Sequence, residues 1–107
     1  YKALSEVIDE FLEDEDNLIL ISTDLSHFHT QEKANKLDNI CLNAIAKKDM
    51  ELFDKGCEAC GKIGVKAIIY SAIKKNYNSK VLHYCTSYNK TKDASRVVGY
   101  TSALIGN

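Results

Sequence analysis

The chain has 107 residues, of which 45% are hydrophobic and 27% are charged, and its formal net charge at pH 7 is −1. This composition is typical of a globular protein, and the length is sufficient for a single domain with one core. The near-neutral charge argues against nucleic acid as a partner, because phosphate backbones are bound by clustered basic residues. No apolar run approaches the roughly 20 residues that cross a bilayer, so we expect no membrane partner and a cytoplasmic location.

Hydrophobic periodicity predicts a helix over residues 1–13 and, after an acidic stretch, a strand over residues 18–23. That strand contains an unbroken Leu and Ile run, which is typical of a strand covered on both faces. Further along, the pattern predicts helices over about 31–47 and about 60–75, a short helix through Leu52 and Phe53 that ends at Gly56, and strands over 80–86 and 95–105. Gly61 and Gly64, in the first turn of the 60–75 helix, indicate close backbone packing there.

Polar side chains follow the predicted strand at 18–23 directly, and Asp24 and His27 stand three residues apart among them. The carboxyl ends of strands are where open α/β sheets build their sites. At this spacing a carboxylate and an imidazole can converge on one ligand, metal or proton. The alternative is that Asp24 accepts loop N–H groups and His27 caps the next helix. We expect His29 to face solvent in a turn and Thr30 to be the N-cap of that helix.

The four cysteines are Cys41, Cys57, Cys60 and Cys85. Without a secretory signal pattern we expect them to be reduced, with Cys41 a small core residue. Only Cys57 and Cys60 are close in sequence, which argues against a four-cysteine zinc site. Their C-x-x-C spacing permits redox or metal-ligand chemistry, but a short helix precedes it where a thioredoxin-type motif would follow a strand.

Arg96 lies just before the last predicted strand. A guanidinium at that point either pairs with a carboxylate or an anionic substrate, or fixes the preceding loop. The residue pattern leaves both interpretations open.

Three segments together resemble the C-terminal part of the Memo family, which includes the microbial AmmeMemoRadiSam system protein B. The resemblance covers roughly residues 15–105, and its segments are residues 21–29 (ISTDLSHFH), 59–61 (ACG) and 84–87 (YCTS) with 95–100 (SRVVGY). It implies an α/β fold in which helices flank a mixed sheet, as the C-terminal half of a three-layer fold related to the class III extradiol-type dioxygenases. We therefore expect residues 1–107 to form a single Memo-like domain that lacks the N-terminal half.

The resemblance also implies a metal site. In the family, a cysteine of the Cys-Gly segment binds a metal together with two histidines of the N-terminal half, and this cysteine corresponds to Cys60. The Asp-Leu-Ser-His segment lines the same cavity and corresponds to Asp24 and His27. A thiolate among imidazoles suits iron or copper as well as zinc, so the ligand types do not fix the metal.

Three functions are consistent with these features. The first is a metal-dependent, dioxygenase-like oxidoreductase acting on a small molecule, with Cys60 as iron or copper ligand, His27 as acid/base and Asp24 fixing the imidazole tautomer. The second is a non-catalytic module that binds a peptide or an anionic ligand in the same cavity. The third is a structural half-domain whose unpaired edges and exposed apolar surface lead to self-association.

Overall fold

The computed structural model describes residues 1–107, with helices on a small sheet. The helices are α1 (Lys2–Leu12), α2 (Gln31–Lys47), α3 (Lys62–Lys75) and the four-residue α4 (Tyr88–Thr91), with a 3-10 turn at Leu52–Asp54. The strands are β1 (His27–His29), β2 (Asn78–Thr86) and β3 (Val97–Gly106). None of the helices has both the length and the apolar character needed to span a bilayer.

The sheet has three strands in the order β1-β3-β2, and both pairings are antiparallel. β2 and β3 form a long hairpin that is paired from Asn78 opposite Gly106 to Thr86 opposite Gly99. β1 is short and pairs with the first two residues of β3. The predicted α/β class is therefore confirmed, and every strand pair in the sheet is antiparallel.

Helix positions agree closely with the periodicity. α2 has the predicted bounds, and the Thr30 hydroxyl accepts a hydrogen bond from the N–H of Lys33 at 3.3 Å, as expected of an N-cap. The helix is followed by its C-cap Lys48, which has a left-handed φ of 52°. The strand β1 and the helix α4 were not predicted, because three- and four-residue elements leave almost no periodic signal.

The predicted strand over residues 18–23 is wrong. This segment has no regular secondary structure and is paired with no strand, and Leu18 and Leu20 are 89% and 88% exposed. Ile19 and Ile21 line a groove of about 330 Å³ whose other walls are mainly apolar side chains of α3 and β3. A strand requires a neighbouring strand that forms hydrogen bonds with its backbone N–H and C=O groups. An apolar run in the sequence indicates only that its side chains favour burial.

The expectation that the cysteines are all reduced is wrong for two of them. Cys41 and Cys57 form a disulfide with their Cα atoms 4.8 Å apart, whereas Cys60 and Cys85 are free. Both bonded cysteines lie in the core, where α2 packs against the 3-10 turn around the buried Phe53. This packing brings together residues that are 16 positions apart, which sequence spacing does not reveal. Cys57 is therefore not the redox partner of Cys60.

Candidate functional site

Cys60 lies just before α3, and backbone contacts tie it to the segment that contains Asp24. The N–H of Cys60 donates to the carbonyl oxygen of Asp24 at 3.2 Å. The next N–H, that of Gly61, donates to the Thr23 hydroxyl at 2.7 Å. Two segments that are 36 positions apart in the chain therefore meet at this point.

The close approach of these segments depends on glycine. A Cβ at Gly61 would lie 2.8 Å from the Thr23 Cβ and 3.3 Å from the Ser22 carbonyl oxygen. A Cβ at Gly64 would lie 3.3 Å from Cγ2 of Ile21. The packing expected from these two glycines is confirmed, and the start of α3 rests directly on the 21–24 segment.

The Cys60 sulfur is exposed and has two hydrogen-bonding neighbours. The N–H of Asp24 lies 3.4 Å from it, and the Thr23 hydroxyl oxygen lies 3.5 Å from it. Hydrogen bonds from the Thr23 hydroxyl and the Asp24 N–H lower the pKa of the Cys60 thiol, against the opposing effect of the Asp24 carboxylate. The single Thr23 hydroxyl hydrogen has a second acceptor, the Asp24 carbonyl oxygen at 2.8 Å, so the Asp24 N–H is the donor with no competing acceptor. A thiol of lowered pKa is more often a thiolate, which is the metal-binding and nucleophilic form.

The Asp24 carboxylate faces His27 as well. Its Oδ2 lies 3.4 Å from Nε2 of His27, and the two side chains are 46% and 37% exposed. His27 does not cap α2, because Thr30 has that role. Asp24 therefore contacts both other predicted site residues, Cys60 through its backbone and His27 through its side chain. No three His, Cys, Asp or Glu side chains of this chain converge closely enough to hold a metal ion by themselves.

A second histidine pair joins β1 to the loop that carries Cys60. Nε2 of His29 lies 2.7 Å from Oε1 of Glu58, so His29 is not the free solvent-facing residue expected. The partners are 29 positions apart, and no sequence pattern connects them. The contact holds the residues between Cys57 and Cys60 against the strand that carries His27.

Phe28 lies between the two histidines and has an unusual backbone. Its φ is 62°, a left-handed value that bulky residues rarely adopt, and the register of β1 against β3 shifts at this residue. The ring is 61% exposed, and the Arg96 guanidinium lies over it at 4.6 Å from the centroid. Arg96 forms no ion pair. A guanidinium over an aromatic face makes a cation–π contact. Side-chain and backbone hydrogen bonds lower the pKa of Asp93, and the charge of Arg96 also helps to lower it.

Comparison with known proteins gives the family. The sequence model of the family described as Memo-like protein matches residues 1–104. A MEMO1 family protein of Methanococcus maripaludis is 41% identical over 95 residues, which are 82% of this chain and 33% of that protein. A MEMO1 family protein of Methanobrevibacter smithii is 36% identical over 97 residues, or 85% and 34% of the two chains.

A more distant relative aligns with nearly the whole chain. A MEMO1 family protein of Sulfurisphaera tokodaii is 30% identical over 111 residues, covering 99% of this chain and 39% of its own length. The chain thus spans about a third of the length of the curated relatives it matches. It belongs to the Memo-like protein family.

Proposed function

We propose that this chain supplies part of a metal-binding cavity, with Cys60 as a ligand and Asp24 and His27 lining the same space. The metal is iron or copper, and the protein uses it in redox chemistry on a small molecule. The observation that carries the proposal is the position of Asp24, whose N–H lies 3.4 Å from the Cys60 sulfur and whose carboxylate lies 3.4 Å from the His27 ring.

The donor types of these residues fit such a metal. Cys60 is exposed and its pKa is lowered, so its thiolate is accessible to an ion from solvent. A thiolate with imidazole neighbours suits iron and copper. The remaining ligands would come from polypeptide that corresponds to the other two thirds of the relatives. A bound iron or copper ion would supply one-electron and dioxygen chemistry.

His27 is the proton carrier in this proposal. When its Nε2–H points to the Asp24 carboxylate, Nδ1 keeps a free lone pair that accepts a proton from a bound substrate. The carboxylate also stabilises the imidazolium that then forms, as carboxylates paired with catalytic histidines do. Both side chains are partly exposed, so a small molecule can reach them from solvent.

The test is the metal content of the protein purified in its natural length. Titration with Fe(II) or with Cu(II) under matched conditions should give about one equivalent bound in the wild-type protein. Cys60→Ala should lose this binding, while Cys85→Ala, which removes the other free thiol, should keep it. Stoichiometric metal in Cys60→Ala would rule out the proposed ligand. Oxygen consumption by the iron-loaded protein with candidate substrates then tests turnover.

One observation favours the alternative function, a module that binds a peptide or another anionic ligand in the same cavity. The Arg96 guanidinium lies over the exposed ring of Phe28, the residue after His27, and forms no ion pair. Such a guanidinium is suited to a phosphate or carboxylate group. Saturable binding of an anionic peptide that is lost in Arg96→Gln, with no oxygen consumption across a substrate panel, would favour the module over the enzyme.

A further inference from the structure

We propose that Asp38 of α2 is the positioning residue for the segment that carries Asp24 and His27. The sequence pattern did not single it out, although a carboxylate on the apolar face of a helix is a signal that could have done so. It stands four positions after the buried Ala34 and three before the buried Cys41.

Asp38 is fully buried and accepts two hydrogen bonds. Its Oδ1 accepts from the N–H of Ser26 at 2.9 Å, and its Oδ2 accepts from the Tyr84 hydroxyl at 2.6 Å. Burial and the neighbouring Asp38 raise the pKa of Tyr84, so this phenol remains protonated and able to donate. Asp38 is therefore fixed from β2 on one side and fixes the 24–27 segment on the other.

Ser26 lies between the two predicted site residues and depends on few polar contacts. It is completely buried, and its hydroxyl has no hydrogen-bond partner. Its carbonyl oxygen accepts from the N–H of Gly99 at 3.0 Å, and its own N–H donates to Asp38. Without the Asp38 carboxylate this buried N–H would have no acceptor.

β3 approaches α2 so closely at this point that only glycine fits. A Cβ at Gly99 would overlap the Asp38 carboxylate oxygen Oδ2. Glycine at this position therefore leaves the space that the Asp38 carboxylate occupies. Asp38 is thus confined among α2, β3 and the 24–27 segment, as a group that sets geometry must be.

The same helix also anchors the other side of the site. Cys41, one turn after Asp38, is bonded to Cys57 in the loop that leads to Cys60. α2 therefore holds the segment of Asp24 and His27 through Asp38, and the segment of Cys60 through the disulfide. Asp38 and Cys41 lie on one helix. The distance between the segment of Asp24 and His27 and the segment of Cys60 therefore depends on the distance between these two residues.

The experiment compares Asp38→Ala and Asp38→Asn with wild type by NMR, in the protein of natural length. Asp38→Ala should accelerate hydrogen exchange of the Ser26 amide by about tenfold or more, because its N–H loses its acceptor. It should also shift the ring resonances of His27, while those of His83, an exposed residue of β2, stay in place. Asp38→Asn keeps an acceptor oxygen in a side chain of the same shape. Its Ser26 exchange rate and His27 resonances should therefore lie closer to those of wild type than in Asp38→Ala.

Metal affinity gives a second measurement, and it rests on the proposed function. If the protein binds iron or copper, Asp38→Ala should weaken binding by roughly 10- to 100-fold, the usual effect of losing a residue that orients the groups around a metal. If the wild-type protein binds no metal, the proposed function fails, while the NMR result still decides the role of Asp38. A folded Asp38→Ala whose Ser26 exchange and His27 signals are unchanged would overturn the proposal, as would equal shifts at His83.

If Asp38→Ala does not fold, Tyr84→Phe replaces it in the same comparison. This variant removes only the hydroxyl that donates to Asp38 and keeps the ring. We expect a smaller shift in the same direction at Ser26 and His27. No change in Ser26 exchange and in the His27 resonances of folded Tyr84→Phe would count against the proposal.

Discussion

The backbone N–H of Asp24 lies 3.4 Å from the sulfur of Cys60. These residues belong to the two segments whose resemblance to the Memo family implied a shared cavity. The Asp24 carboxylate in turn lies 3.4 Å from His27, so one residue connects the thiol to the imidazole.

The pH dependence of Cys60 reactivity follows from its hydrogen bonds. The pKa of this thiol is lowered, so alkylation by iodoacetamide should reach half its maximal rate at a lower pH than for an ordinary exposed cysteine. Thr23→Val removes the hydroxyl donor and should move this midpoint to higher pH. The midpoint is read from the rate of Cys60 labelling by mass spectrometry as pH is raised.

Thr91→Val is the control for the Thr23 substitution. Its hydroxyl, at the exposed end of α4, accepts a hydrogen bond from the backbone N–H of Asp93. It should leave the labelling midpoint of Cys60 unchanged. A Thr23→Val midpoint equal to that of wild type would mean that the hydroxyl hydrogen points to the Asp24 carbonyl oxygen and leaves the Asp24 N–H to act alone.

Gly61→Ala should destabilise the chain by about 1–3 kcal/mol, the usual cost of forcing an extra carbon into packed structure. Its φ of −93° is open to any residue, so the cost comes from the contact with the Thr23 Cβ and the Ser22 backbone. Urea unfolding measures the change. Gly106→Ala is the control, because no atom lies within 4 Å of a Cβ at that position. Equal stability of the two variants would show that the approach of α3 to the 22–24 segment is looser than described.

Loss of the disulfide should cost about 3 kcal/mol by the loop-closure relation, since the bonded cysteines are 16 positions apart. The variant is Cys41→Ala with Cys57→Ala, and its free energy of unfolding is compared with that of Cys85→Ala. Wild type treated with a phosphine reductant should lose a similar amount. Four alkylated thiols in the denatured, unreduced protein would contradict the bond.

The apolar segment at residues 18–21, which is paired with no strand, should make this chain self-associate when it is produced alone. Leu18 and Leu20 are almost fully exposed, and β3 beyond Tyr100 is paired only with β2. The same segment of a second copy can pair with the free backbone groups of this region and cover its exposed apolar side chains. Leu18→Ser with Leu20→Ser should shift sedimentation velocity profiles to the monomer. Leu82→Ser, at an exposed Leu outside the groove, should leave the profile unchanged.

Sequence periodicity predicted the helices well, because α1, α2 and α3 each bury one face and that face repeats along the chain. It failed at residues 18–23, where an apolar run indicated burial but pairing depends on a neighbour elsewhere. The Cys41–Cys57 bond and the His29–Glu58 contact were missed for a related reason. Each joins residues from separate segments, and only the tertiary fold determines which segments meet.

The candidate site was predicted in part. The motifs around Asp24, His27 and Cys60 indicated which residues to examine, and the fold brings Asp24 into contact with the other two. The roles of Thr23 and Asp38 were not predicted, because each accepts a hydrogen bond from a backbone N–H in a distant part of the chain. For Asp38, its place on the apolar face of α2 was the one available signal. Such contacts depend on distances of tenths of an ångström, which residue types do not encode.

X-ray absorption at the metal edge of the loaded, natural-length protein shows whether Cys60 and His27 face one bound metal. We expect one sulfur scatterer that is lost in Cys60→Ala and retained in Cys85→Ala, with spectral features that change in His27→Ala. A spectrum without sulfur, identical in wild type and Cys60→Ala, would contradict this expectation.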